Sequence, residues 1–411
     1  MNSVFLVADD LTGAMDTGGL LISFGQKVRV AVNPQAAGAE SPHLVESICV
    51  NAASRALCGA EARAVHKGIG EKVRGNSAFF IKKLDGGFRG NAAAEIEGLL
   101  DGAGREVCFV MSAIPSMKTY CLHGHQHVKD VILPKSMYAD DPLHPPKESY
   151  IPAILRGGTN LSIAAVDIDD IRGDLAGAVN AHTADGARII VLDCVTDEDC
   201  RRAVNTLSPL YPHALWAGTL GLVKAASSML FATQTPPVYE ARTIKCACFS
   251  ASLYPATKAQ IALSQQNGLP VITLDMDAVV ENPHGNAARD AVEKCLSIGK
   301  RESFLLVQHL SPEKEYPGVE KLILQTLTAC AKEICAGLAF DRLVIIGGET
   351  SNAILNALSV ESVALTKMLE DPVSSGFLQG GSCDGWEFSA KGGSVGSVHA
   401  LEKMLCRYAG D

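Results

Sequence analysis

No apolar run in this 411-residue chain approaches the roughly 18–20 residues that a helix needs to cross a bilayer, so no membrane-spanning segment is expected. A basic excess is missing too. Lys and Arg number 36 against 45 Asp and Glu, and the formal net charge of -9 disfavours wholesale binding to nucleic acid. Any anionic ligand must therefore be gathered by a local cluster of cations. No Walker A string occurs, and no G-x-G-x-x-G follows an apolar run, which excludes P-loop and Rossmann dinucleotide sites. The thirteen cysteines follow no repeating spacing and read as reduced, mostly buried thiols. No basic leader precedes the first apolar run at Val4, and a cytoplasmic location is expected.

What is present is ordinary globular composition, 47% hydrophobic and 20% charged. Single cores rarely grow past about 250–300 residues, so two domains are expected. The first half alternates short apolar runs (Val28–Val32, Ser47–Val50, Phe79–Ile81, Val107–Met111, Ile163–Val166, Ile189–Leu192) with helical patterns at Ala56–Val73, Ala92–Leu100 and Leu175–His182. That alternation predicts an α/β fold with a mainly parallel sheet. Pro115–Pro152 breaks it with six prolines and four histidines, and reads as an irregular, hairpin-like lobe. Ala217–Leu222 is expected to open a helix running to about Phe231. Pro236-Pro237, within 232–238, suits a stiff linker and sets the expected domains at 1–234 and 240–411. The second half offers strands near Lys245–Phe249, Val271–Leu274, Phe304–Val307 and Leu343–Ile346, with helices at Ala256–Gln266, Ala287–Ser297 and Val319–Ala336.

Four polar clusters each follow an apolar run of the first half: Asp9-Asp10-Leu11-Thr12, Asn51–Arg55, Lys82–Asn91 and Met111–Pro115. Ligands of open α/β sheets sit beyond the carboxyl ends of strands, so these clusters are expected to converge there. Paired carboxylates can take a proton from a hydroxyl or bind polyol hydroxyls. Arg55 and Arg89 suit a bidentate grip on a carboxylate, whereas Lys82 supplies a point charge. In the second half Leu343–Ile346 runs into Gly347-Gly348-Glu349-Thr350-Ser351, expected to be a helix start capped by Thr350 or Ser351. Lys391-Gly392-Gly393 repeats the theme with a lysine. Glycine pairs let backbone approach a ligand closely, and open helix N–H groups attract phosphate, which points to a nucleotide.

Two strings invite other readings. Cys121, His123, His125 and His127 alternate as on one strand face, but ligands in line cannot surround an ion tetrahedrally. No metal site is expected from them, although a zinc enzyme built on His123, His125 and His127 would be the corresponding alternative. Cys246 and Cys248 share a strand face and read as core.

Taken together these motifs resemble the four-carbon acid sugar kinase family. Asp9–Ala14 matches its DDLTGA string, Ser54-Arg55 its Ser-Arg, and Lys83–Asn91 its K-x-D-S-T-L-R-G-N. Asp141-Pro142 is similar to its Asp-Pro, Gly347–Thr350 to its G-G-[DE]-T, and Lys391–Gly396 to its K-S-G-G-F-G. The resemblance implies a substrate-binding N-terminal domain and a nucleotide-binding C-terminal domain, with phosphate transfer from ATP, assisted by Mg²⁺, to threonate, erythronate or 3-oxo-tetronate. It implies an acid-sugar pocket of Asp9, Asp10, Ser54, Arg55, Asp85 and Arg89, to which Thr12 and Lys82 are added from the clusters above. It makes Ser252, Gly347, Gly348, Glu349, Thr350, Gly392 and Gly393 the nucleotide contacts. Lys391 would offset phosphate charge, and either Asp85 or Asp10 would be the base. A homodimer is a further expectation. Two departures stand out: Gly86-Gly87-Phe88 replaces Ser-Thr-Leu, and Ala251-Ser252 replaces Gly-Ser. The lost hydroxyls at 86 and 87 support an alternative, a lapsed relative that senses a sugar acid or nucleotide.

Overall fold

A computed structural model describes residues 3–37, 46–139, 141, 145–231, 245–281, 287–309 and 318–405. The expected linker at 232–238 and Pro142 lie outside the described residues. Backbone contacts divide the chain into two compact units, residues 1–28 with 33–235 and residues 29–32 with 236–411. The expected first domain, 1–234, is interrupted in this division: residues 29–32 group with the second unit, where the Val32 N–H donates to the Glu361 carbonyl at 2.9 Å.

β1 (Val4–Ala8) leads into α1 (Leu11–Ser23); β2 (Val28–Ala31) follows in sequence but groups with the second unit apart from Val28, and the first unit resumes with β3 (Ser47–Asn51), α2 (Gly59–Lys72), β4 (Phe79–Lys83), α3 (Ala92–Ala103) and β5 (Cys108–Met111). Next come β6 (Thr119–Leu122), β7 (His125–Val128), β8 (Val131–Ile132), α4 (Ile151–Arg156), β9 (Ile163–Val166), α5 (Ile168–Arg172) and α6 (Leu175–Ala184). β10 (Ile189–Leu192), α7 (Asp197–Leu210), β11 (Leu215–Gly218) and α8 (Leu220–Leu230) complete the unit. Its parallel sheet runs β3-β1-β4-β11-β5-β10-β9. Every residue of β1 is buried, as expected of a strand covered on both faces.

Two sequence expectations change here. Ala217 and Gly218 close strand β11 rather than open a helix, and α8 starts only after its N-cap Thr219. The run Leu215–Gly218 is too short for periodicity to tell strand from helix. The Cys121–His127 string is not one strand: His123 (φ 50°) and Gly124 (φ 75°) form the two-residue turn between β6 and β7. Successive left-handed residues give the turn whose twist suits a hairpin. The lobe is thus a three-stranded antiparallel sheet, β6-β7-β8.

Helices α2 and α3 approach so closely that glycine is required. A Cβ on Gly98 would lie 2.4 Å from the Arg63 carbonyl oxygen, and one on Gly102 would lie 2.1 Å from that of Lys67. This contact buries His66 completely, with its Nδ1 donating to the Ala62 carbonyl at 2.9 Å. Burial pushes the His66 ring down to about 4, against opposing attraction from Glu95. The unfolded ring takes a proton near 6.5 while the folded one does not until about 4. Its stability contribution is therefore present above pH 6.5 and declines as pH falls towards 4. His66→Leu is expected to flatten the stability slope in that window, as read by urea unfolding at stepped pH. An unchanged slope would refute the assignment.

The second unit comprises β12 (Cys246–Ser250), α9 (Pro255–Gln266), β13 (Val271–Leu274), α10 (Met276–Glu281), α11 (Ala287–Gly299), β14 (Phe304–His309) and α12 (Val319–Gly337). It continues with β15 (Arg342–Ile346), α13 (Gly348–Ala357), β16 (Ser362–Glu370), β17 (Val373–Gln379), β18 (Glu387–Lys391) and α14 (Ala400–Leu405). Strands β13-β14-β12-β15-β18 are parallel, and β17 and β16 extend the sheet antiparallel. The last three strands escaped the sequence reading because residues such as Ser374, Ser375 and Ser389 break their apolar pattern, yet all three are buried. Cys246 and Cys248 lie in the core, with Val344 and Leu401 in the same cluster.

Candidate functional site

The carboxyl ends of β1, β3 and β4 bring three of the four polar clusters together. Asp10 caps α1, its Oδ1 accepting the Gly13 N–H at 2.7 Å and its Oδ2 the Thr12 hydroxyl at 2.8 Å. Arg55 sits at the centre. It grips Asp9 bidentately, Nε to Oδ2 at 2.7 Å and Nη2 to Oδ1 at 3.1 Å, and its Nη1 meets Asp10 Oδ2 at 2.8 Å. Asp85 lies 3.8 Å from the same guanidinium. Arg89 in turn grips Asp85 at 3.0 and 2.8 Å and reaches Asp141 at 3.2 Å. Opposite charges thus alternate from Asp9 to Asp141.

The electrostatics follow from this pairing. Burial works to raise the Asp9 carboxyl, but the Arg55, Lys82 and Lys83 cations hold it far below the usual carboxylate range. Burial likewise opposes, and Arg89 and Arg55 outweigh it, at Asp85, whose carboxyl is lowered. Asp85 also accepts the Gly87 N–H at 2.9 Å, so its oxygens are well occupied. Of these three carboxylates Asp10 is the most accessible, with 15% of its side chain exposed against 4% for Asp9 and 9% for Asp85.

Two expected pocket residues lie deeper. Lys82 is fully buried and meets Glu95 at 2.9 Å, while the Ser54 hydroxyl donates to the other Glu95 oxygen. They form a layer that supports Asp9 and Arg55 from behind. The fourth cluster joins indirectly: Ser112 donates to the Gln126 side-chain oxygen at 2.6 Å, and the Gln126 amide donates to the Gly86 carbonyl at 3.2 Å. The expected histidine string is spent on packing. His127 stacks on Tyr120 at 4.7 Å, and the His125 Nδ1 lies 2.9 Å from the Ser149 hydroxyl. Among the described residues no group of three or more His, Cys, Asp or Glu is placed to hold a metal ion.

In the second unit the ends of β12, β15 and β18 converge. Gly347 (φ 113°) is the N-cap of α13, and no side chain caps that helix. The expected caps are displaced: Thr350 and Ser351 lie inside the helix, and the Ser351 hydroxyl donates back to the Gly347 carbonyl at 2.8 Å. Gly348, Glu349 and Thr350 thus form a first turn of the kind that binds anions. The Gly347 N–H donates to the Lys391 carbonyl at 2.9 Å, which ties this turn to β18. A Cβ on Gly393 would fall 2.2 Å from the Ser252 hydroxyl, so those two turns touch, whereas Gly392 has ordinary room.

Lys391 is fully buried. Its ammonium donates to the Gly392 and Val395 carbonyls at 2.9 and 3.1 Å and to the Thr257 hydroxyl at 3.4 Å. Its visible work is to hold the glycine turn in shape. Thr257 and Gln260 were missed at the sequence level, although T-x-x-Q at the start of α9 places both on one helix face. Thr257 accepts from Ser252 at 3.1 Å and donates to the Gly393 carbonyl at 2.7 Å, and the Gln260 amide reaches the Ser397 carbonyl at 2.8 Å. Thr257→Val is expected to weaken nucleotide binding about tenfold by freeing this turn, at a cost near the 1–3 kcal/mol of an unmade buried hydrogen bond. A nucleotide titration that leaves affinity unchanged would contradict it.

The family model of a sugar-binding N-terminal domain matches residues 4–226, and that of a nucleotide-binding C-terminal domain matches residues 247–401. D-threonate kinase of Salmonella typhimurium is 22% identical, with 98% of this chain and 99% of that one covered. D-threonate kinase of Bordetella bronchiseptica is 26% identical (96% and 95% covered), as is 3-oxo-tetronate kinase of Burkholderia multivorans (97% and 96% covered). Among solved structures, a Salmonella typhimurium protein superimposes with a TM-score of 0.80 at 17% identity over 99% of this chain and 98% of that one. A Haemophilus influenzae protein does so with 0.72 at 18% identity, over 98% and 99%. The polar cluster falls in the sugar-binding match and the glycine turns in the nucleotide-binding match, and the chain belongs to the four-carbon acid sugar kinase family.

Proposed function

We propose that the chain is an ATP-dependent kinase that phosphorylates a hydroxyl of a small acid sugar, of the threonate, erythronate or 3-oxo-tetronate type. Domains at 1–234 and 240–411 would divide the work, sugar acid on the first and nucleotide on the second. The observation that carries this reading is the alternation of Asp9, Arg55, Asp85, Arg89 and Asp141 at the strand ends of the unit matched as sugar-binding.

A guanidinium has five N–H donors. Hydrogen bonds to Asp9 engage two on Arg55, with Asp10 ion-paired beside a third nitrogen, and hydrogen bonds to Asp85 and Asp141 engage three on Arg89. The remainder suit the substrate carboxylate, while the aspartates accept its hydroxyls. Asp10, the most accessible carboxylate of Asp9, Asp10 and Asp85, takes the proton of the attacking hydroxyl. That oxygen bonds to the terminal phosphorus as the bond to the leaving diphosphate breaks. Lys391 keeps the glycine turn in place, and the uncapped N-terminus of α13 receives phosphate oxygens. Glu349, exposed beside that turn, fits as the one carboxylate a phosphate-bound Mg²⁺ takes from protein. When bound, the ion neutralises phosphate charge. A cytoplasmic location goes with this reading, because the proposed reaction draws on ATP.

A coupled ATP-consumption assay over C4–C6 acid sugars tests the reading. Turnover with a four-carbon acid well above the ATPase background is expected. A thermal shift with acid or nucleotide but no turnover would instead make the chain a sensor.

A further inference from the structure

Gly86 and Gly87 follow Asp85 directly, and neither has a positive φ, so their backbone does not call for glycine. Their surroundings do. A Cβ on Gly87 would fall 2.7 Å from Cγ of Tyr138 and 2.8 and 3.0 Å from its two Cδ atoms. A Cβ on Gly86 would come within 3.3 Å of the Tyr138 phenol oxygen. The ring lies flush on bare backbone, with the Arg89 guanidinium carbon 5.2 Å from its centroid. It is held there from outside the loop: the Tyr138 N–H donates to the Ser136 hydroxyl at 3.2 Å, and its carbonyl accepts the Asp141 N–H at 3.1 Å. Tyr138 is half-buried, and the Arg89 that lies over its ring is the one that grips Asp85 and reaches Asp141.

We propose that Tyr138 is a specificity-determining wall of the acid-sugar pocket, standing in the space that side chains at 86 and 87 would otherwise fill. The proposal rests on the acid-sugar reading of this cluster and adds which residue sets the acceptor's size. A rigid phenol supplies area with few rotamers to freeze, together with one hydroxyl that both donates and accepts. An acid longer by one or two carbons meets the ring, whereas a four-carbon acid fits between it and the carboxylates. The paired glycines are the complement that lets the ring sit so close.

The test measures kcat/KM for C4, C5 and C6 acid sugars with the full chain. Tyr138→Ala is expected to raise the C6-to-C4 ratio at least about tenfold, the lower end of what a methylene in a pocket is worth. Nucleotide affinity should not change. Gly87→Ala should lower kcat/KM for the C4 acid about tenfold in the parent, and that loss should vanish in the Tyr138→Ala background, because clashing neighbours are not additive. An unchanged acceptor ratio, or additive losses, would overturn the wall. Should the parent turn over no acid at all, the kinase reading falls, and acid-induced thermal shifts then decide the wall by the same ratio. Absence of any acid-induced shift overturns both.

Discussion

Asp10→Asn is expected to lower turnover by about 10²–10⁴-fold, the usual worth of a positioned acid–base group. The same change should leave stability within about 1 kcal/mol, because Asn caps helices about as well as Asp. The amide oxygen can still accept the Gly13 N–H that Asp10 now accepts at 2.7 Å. What it cannot do is take a proton. Thermal unfolding alongside the ATP-consumption assay separates the two effects, and retained turnover would remove Asp10 as the base. Asp85→Asn makes the contrast. Asp85 is bound bidentately by Arg89 and accepts the Gly87 N–H, so its replacement should loosen the loop and cost stability as well as activity.

Arg55→Met is the second large effect. Arg55 faces Asp9, Asp10 and Asp85 together, and removing it leaves three carboxylates that no longer share a cation. One-sided loss of a buried ion pair costs about 3–5 kcal/mol. Because Arg55 keeps 22% of its side chain in water, roughly 2–4 kcal/mol is expected at neutral pH. The pH dependence carries a sign. In the parent, Asp9 and Asp85 are held below their unfolded values, so their contribution is present above about pH 4 and is lost as pH falls through the lowered values. In the variant, burial is left to act on Asp9 with less opposition and raises it. Its ionisation then costs stability as pH rises through the raised value. The gap between parent and variant should therefore shrink from pH 7 to pH 4 in denaturant titrations. A constant gap would mean that Arg55 acts by packing alone.

How much of this was legible beforehand depended on the range of the signal. Asp9, Asp10 and Thr12 end an apolar run and open a helical one, so a few neighbouring residues announced a strand-end site. Gly347 and Gly348 after β15 did the same for the second unit. Glu95 gave no such sign: it looked like any acid in the first turn of a helix, and only folding brings it to Lys82 and Ser54. Tyr138 and Gln126 lie in the antiparallel lobe, where proline and histidine hid the period of the strands. Ala217 and Gly218, the end of the short run Leu215–Gly218, read as the start of the helix after it, because four apolar residues fit either period.

Alternating apolar runs and helical patterns, with glycine and carboxylate at the run ends, were enough in the sequence to determine two α/β units and the kind of group each presents. That information is local, since each element's period and cap are written within about a dozen residues. Tertiary structure alone decided which charges are partners and which are buried support. Pairing Lys82 with Glu95, Arg55 with Asp9, and Tyr138 with Gly87 joins residues 13, 46 and 51 positions apart. Such pairs come into contact only when parallel strands align their carboxyl ends and exclude the water that would otherwise screen them.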